Sequence, residues 1–152
     1  MQAMQKLPID IDTAWNFLSN PKNLHAITPA SMGFEITSGA EKKMFPGQII
    51  RYKVKPLFGI TTTWVTEISH VKEKEYFVDQ QRFGPYSFWH HKHFLREISG
   101  GVEMEDVVDY KLPLGFLGAW AHALFIARRV RAIFDYRRKA LKSIFGTYAQ
   151  SD

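Results

Sequence analysis

At 152 residues, with 45% hydrophobic and 14% aromatic content, the chain is long enough to bury a core and too apolar to be disordered. It contains no cysteine, which excludes disulfides, thiolate metal sites and cysteine nucleophiles. Its formal charge of +5 favours anionic partners only weakly, and much of the excess is concentrated in "ARRVRAIFDYRRKALKS", 127–143.

The first residues, "MQAMQKLPID", hold no long apolar run, and no window approaches about 18 uninterrupted apolar residues, so neither a signal peptide nor a membrane span is expected. The expected location is cytoplasmic. No repeat or compositional shift divides the sequence, which points to one domain over 1–152. "DIDTAWNFLSN" reads as a short helix capped by Asp12, and "NPKNLHAITP" as a second, with Asn20 as cap and Pro21 at its first position. From about Phe34 to Leu112 the pattern is β. "GFEITSG", "GQIIRYKVKP", "ITTTWVTEISHV", "EYFVDQQRF", "GPYSFWHHKHFL" and "VEMEDVVDYKLP" are six successive strands, separated by "PLFG", by a charged turn at Lys72–Lys74, by Gly84–Pro85 and by Gly100–Gly101. From about Gly115 to Phe145 the apolar residues recur at helical spacing, and Gly146 closes that helix.

Three of the six histidines fall at His90, His91 and His93. A two-residue turn at Gly100–Gly101 would set Arg96 opposite Glu105 and Lys92 opposite Asp109, both opposite-charge pairs on one face. On the other face His91 would meet Tyr110, His93 would meet Val108 and Leu95 would meet Asp106. This register turns Trp89, His91 and His93 inward with Asp106, Val108 and Tyr110. His90 points outward, and a matching turn at Gly84–Pro85 would place it opposite Asp79. Inward imidazoles need partners, because an unpaired buried polar group costs about 1–3 kcal/mol. They are either satisfied in a packed interior or exposed to a cavity. A metal centre is not expected, since two imidazoles and the diagonal Asp106 leave no third strong ligand.

Element order, the "NPKNLHAITP" segment, a Trp-x-His strand at Trp89 and His91, and an Asp-x-Val-x-Tyr-x-Leu-Pro strand at Asp106, Val108, Tyr110, Leu112 and Pro113 together resemble the START-like (SRPBCC) superfamily. The superfamily includes the birch pollen allergen, lipid-transfer START domains and aromatase/cyclases. The likeness is greatest to its small bacterial polyketide cyclase/dehydrase-like members. The resemblance implies an α+β helix-grip fold. In it a seven-stranded curved antiparallel sheet, beginning with a first strand at "QAMQKL", wraps around the long C-terminal helix. Two short helices follow that first strand, and a cavity lies between sheet and helix.

The leading functional expectation is binding or carriage of a small hydrophobic or amphipathic molecule, such as a lipid, quinone or polyketide-like compound. The expected ligand-binding residues are Tyr52, Trp64, Trp89, His91, His93, Asp106 and Tyr110 from the sheet, with Trp120, Leu124 and Phe134 from the helix. The alternative is a cyclase or dehydratase using His91 or His93 as acid or base, with Asp106 as a further catalytic candidate. No cofactor fingerprint is visible, and no cofactor is expected. Arg128, Arg129, Arg131, Arg137, Arg138, Lys139 and Lys142 read as a solvated basic face that could associate weakly with an anionic membrane surface. Nucleic acid is not an expected partner, because the aromatic residues are sequestered in strands rather than interleaved with the basic run.

Overall fold

The computed structural model describes residues 1–55, 60–111 and 119–149, and the side chains among them except those of 119–124. The "PLFG" turn, Leu112 and Pro113 lie outside the described residues. Seven strands are formed: β1 (Gln2–Leu7), β2 (Glu35–Ser38), β3 (Gln48–Val54), β4 (Thr62–Lys72), β5 (Tyr76–Phe83), β6 (Phe88–Ile98) and β7 (Gly101–Lys111). They make one curved antiparallel sheet in the order β1-β7-β6-β5-β4-β3-β2. The segment joining β1 to β2 must cross from one edge of the sheet to the other. It carries helix α1 (Ile11–Leu18) and two 3-10 turns (Pro21–Ile27 and Ala30–Met32). The long helix α2 (Ala119–Phe145) completes the helix-grip architecture.

Local chemistry explains these elements. Strand β3 alternates without a break, burying Gln48, Ile50, Tyr52 and Val54 and exposing Ile49, Arg51 and Lys53. Helix α1 begins one residue pair earlier than expected. Its cap is Asp10, not Asp12: Asp10 Oδ1 accepts from the Thr13 backbone N–H at 2.8 Å and Oδ2 from the Thr13 hydroxyl at 2.7 Å. Asp12 sits in the first turn and pairs with Lys74 at 2.6 Å instead. Asn20 caps the next turn through Lys22 N–H as expected, but that turn winds as a 3-10 helix.

The β6–β7 register differs from the expected one by two residues. Ile98 pairs with Gly101, so the loop is Ser99–Gly100, and His93 lies opposite Asp106 while His91 lies opposite Val108. The two glycines do different work. Gly100 adopts φ +74°, whereas Gly101 is a strand residue where a Cβ would come within 2.1 Å of the Leu7 carbonyl oxygen of β1. A shift of two preserves the faces, so the inward and outward sets stand. Lys92 still reaches Asp109 at 3.0 Å, now diagonally, and Arg96 pairs with Glu103 rather than Glu105.

At β5–β6 the discrepancy is one residue, which does reverse a face. Asp79 lies opposite His91, not His90, and therefore points inward. The connection is four residues long, 84–87, and Tyr86 is folded under it. Its N–H donates to Gln81 Oε1 at 3.3 Å and its carbonyl accepts from Gln81 Nε2 at 2.6 Å.

Helix α2 lays Ile126, Val130, Phe134 and Leu141 against the sheet, all buried. Arg137 falls in the same stripe, three residues after Phe134 and four before Leu141, and is only 7% exposed. It does not belong to the solvated basic face.

Candidate functional site

Three strands and α2 bring five polar side chains together in the interior. Asp79 comes from β5, His91 and His93 from β6, Asp106 from β7 and Arg137 from α2. The two carboxylates and two imidazoles close a ring of contacts. His93 Nε2 is 2.8 Å from Asp79 Oδ2, and its Nδ1 is 2.8 Å from Asp106 Oδ1. His91 Nε2 is 3.0 Å from Asp106 Oδ1, and its Nδ1 is 3.4 Å from Asp79 Oδ2. Arg137 Nη2 stands 3.4 Å from Asp106 Oδ1. The imidazoles lie against each other, centroids 3.7 Å apart, and Phe77 stacks on His93 at 4.0 Å.

The ionisation of the cluster follows from this geometry. Burial alone would raise the Asp106 carboxyl, but Arg137 and the hydrogen bonds from both histidines outweigh it and hold Asp106 well below the usual carboxylate range. Asp79 is likewise lowered, because the neighbouring imidazoles and Arg137 overcome its desolvation. Burial would lower both histidines. It prevails at His91, reinforced by the charge of His93, whereas hydrogen bonds to Asp106 and Asp79 reverse it at His93 and raise that group.

Beside this cluster lies a cavity of about 170 Å³, partly open to solvent. Its sheet wall includes Tyr52, Val54, Trp64, Thr66, Ile68, Trp89 and the polar trio Asp79, His91 and His93; α2 contributes Ile133, Phe134 and Arg137. A further part of the wall comes from the helical segment between β1 and β2, through Phe17, Leu24, Ile27, Thr28 and Met32. Burial pushes the Tyr52 hydroxyl up, and the charge of Asp79 adds to it. Tyr86, also on the wall, is pushed up to about 12 by burial.

Of the residues expected from sequence, Tyr52, Trp64, Trp89, His91, His93 and Phe134 line the cavity. Asp106 is buried behind the histidines and touches a smaller void between β1 and α2. Tyr110 packs on Tyr86 and Trp89 without reaching the wall. The side chains of Trp120 and Leu124 lie outside the described residues. Asp79, Arg137, Tyr86 and the short-helix residues were not foreseen.

Asp79, His91 and His93 each offer one ligating atom, all within 4.8 Å of one another, so the structure supplies the third ligand that the sequence lacked. Asp79 and His93 already bond to each other, however, and His91 to Asp106, and a dication added beside Arg137 would leave the cluster with excess positive charge.

No protein-family model matches the sequence, and no curated protein does. Solved structures do match. Protein CV1439 from Chromobacterium violaceum superposes with a TM-score of 0.72 at 11% identity, covering 97% of this chain and 98% of its own. Protein Ms6760 from Mycobacterium smegmatis gives 0.67 at 15% identity over 94% of this chain and 88% of its own. Ara h 8.0201, of the birch pollen allergen-like type, gives 0.59 at 15% identity over 94% and 97%. The fold is START-like. At these identities the likeness of this chain to its neighbours extends to the architecture, and its chemistry rests on its own residues.

Proposed function

We propose that the protein binds a small apolar or amphipathic molecule in the cavity between sheet, short helices and α2. The observation that supports this most directly is the composition of the wall: aromatic and aliphatic side chains nearly all round, with one convergent polar cluster. A volume of about 170 Å³ suits a ring system or a short segment of a lipid, quinone or polyketide-like molecule. Binding of a neutral apolar dye such as N-phenyl-1-naphthylamine tests the reading. Ile133→Trp should fill the cavity and abolish dye binding while far-UV circular dichroism is unchanged. Equal uptake by both proteins would mean that the interior is solid core.

A second reading, acid–base catalysis on a polyketide-like substrate, draws on one observation. His93 sits on the cavity wall with both ring nitrogens on carboxylates, the arrangement that orients and charges an imidazole. Turnover of a candidate substrate that disappears in both His91→Ala and His93→Ala would favour it. We also propose a weak membrane association through the exposed Arg128, Arg131, Arg138, Lys139 and Lys142 of α2. Cosedimentation with anionic vesicles, lost on adding salt, is its test. Among the described residues no helix is long and apolar enough to cross a membrane.

A further inference from the structure

We propose that the cavity selects a small ring-bearing molecule whose polar end is an uncharged oxygen, a hydroxyl or carbonyl, over one ending in a carboxylate or an amine. This rests on the cavity being a binding site and specifies what that site takes. Charge balance is the first support. Both ring nitrogens of His93 lie 2.8 Å from carboxylate oxygens, one on Asp79 and one on Asp106. A neutral imidazole has one N–H and would aim a lone pair at the second anion, so two contacts this short favour an imidazolium over the neutral ring that Arg137 Nη2, 3.4 Å from Nδ1, would call for. His91 makes one close contact, 3.0 Å to Asp106, and keeps its Nδ1 3.4 Å from Asp79. One N–H satisfies that ring, and it is neutral.

The cluster therefore holds two carboxylates against one imidazolium and one guanidinium, with no net charge. Tyr52, which faces Asp79 from β3, is also neutral because burial raises its hydroxyl. A carboxylate or an ammonium entering this mostly apolar space would bring a charge with no counterpart. A hydroxyl or carbonyl brings none.

The second support is an unsatisfied donor behind the cavity wall. Arg137 borders both this cavity and the smaller void between β1 and α2, and its Nε–H, closed off from solvent, has no hydrogen-bond partner among the described residues. A small shift of the guanidinium toward a ligand oxygen would satisfy it. The third is size. The cavity, about 170 Å³, is close to the roughly 150 Å³ void that accommodates benzene. Tyr52, Trp64, Trp89 and Phe134 give it aromatic walls suited to a ring. A carboxylate could be accommodated only with a proton, and His91 is the ring free to take it. Binding of an acid should then strengthen as pH falls, while binding of an alcohol should not.

The test uses the full chain and displacement of N-phenyl-1-naphthylamine by 2-phenylethanol, phenylacetate and 2-phenylethylamine, which share a ring and differ in charge. Near pH 8 the alcohol should bind about tenfold or more tightly than either charged analogue, and only phenylacetate should gain on going to about pH 6. Asp79→Asn removes one negative charge and should shift the preference toward phenylacetate. Phenylacetate or the amine binding as well as the alcohol near pH 8 would overturn the proposal while leaving the cavity reading intact, and so would an unshifted preference in folded Asp79→Asn. The wild-type series decides alone should that variant fail to fold. A dye that does not bind, or that Ile133→Trp leaves unaffected, would bring down the cavity reading and this proposal together.

Discussion

Replacing Arg137 by methionine keeps the length and apolar stem of the side chain and removes its charge. Asp106 and Asp79 would then face one imidazolium between them. Removing one partner of a buried pair costs about 3–5 kcal/mol when the other charge is left uncompensated. Here His91 can take up a proton and restore neutrality, so the cost depends on pH. In the variant the folded-state pKa of His91 rises above its unfolded value. The stabilisation this proton brings is fully present below the unfolded value and is lost as pH rises through the folded one. We therefore expect Arg137→Met to lose about 3 kcal/mol near pH 8 and about 1–2 kcal/mol less near pH 5.5, where the proton is readily available. For a chain of this size a 3 kcal/mol loss is roughly a 6–12 °C fall in Tm. Urea unfolding of both proteins at the two pH values measures it. A loss below about 1 kcal/mol, or the same loss at both pH values, would show that the guanidinium is not neutralising the carboxylates and that the charge count of the cluster is wrong.

Three other outcomes are expected. Wild-type stability should fall on the acid side, while on the alkaline side the loss from His93 is offset in part by His91, which is shifted the other way. Asp79 and Asp106, lowered from 3.8, stabilise above that value and lose their contribution as pH falls below it; His93, raised from 6.5, stabilises below that value and loses its contribution as pH rises through its folded value. A urea midpoint that stays flat from about pH 3 to pH 9 would contradict this. Protein purified without a histidine tag should carry iron and zinc far below stoichiometry by elemental analysis, because the protonated cluster is already balanced; one equivalent of either metal would refute that balance. Gly101→Ala should destabilise by about 2 kcal/mol or more because its Cβ meets the backbone of β1, while Gly100→Ala, strained only in φ, should cost about 1 kcal/mol; thermal melts giving the reverse order would refute the assigned roles.

The sheet and its inward histidines were legible because strand alternation has a period of two, and a two-residue error in the β6–β7 turn moves pairings without reversing faces. The same logic failed for Asp79. Gly84–Pro85 looks like a complete turn, and nothing in "RFGPYSF" reveals that Gln81 will hold Tyr86 and lengthen the connection. That single residue turned an acid assigned to the surface into the centre of the site. Arg137 was legible in principle. Its spacing from Phe134 and Leu141 places it in the apolar stripe, but among so many basic neighbours it reads as surface. Its burial becomes intelligible only once two inward carboxylates are known to await it. The cavity's third wall, from Phe17 to Met32, needed the tertiary path of the segment joining the two sheet edges, which local pattern does not encode.

The stacking of Phe77 on His93 has an optical consequence. Phe77 also meets the buried Trp15, ring centroids 6.1 Å apart, while Trp89 stands 6.2 Å from His91 and 5.3 Å from Trp64. Indole emission is quenched by a nearby imidazolium and shifts with the polarity around it. The interior thus carries its own chromophores, one of them directly against His91. A proton arriving at His91 should dim the Trp64–Trp89 pair first. A molecule displacing solvent from the cavity should shift the same pair to the blue, with no label attached.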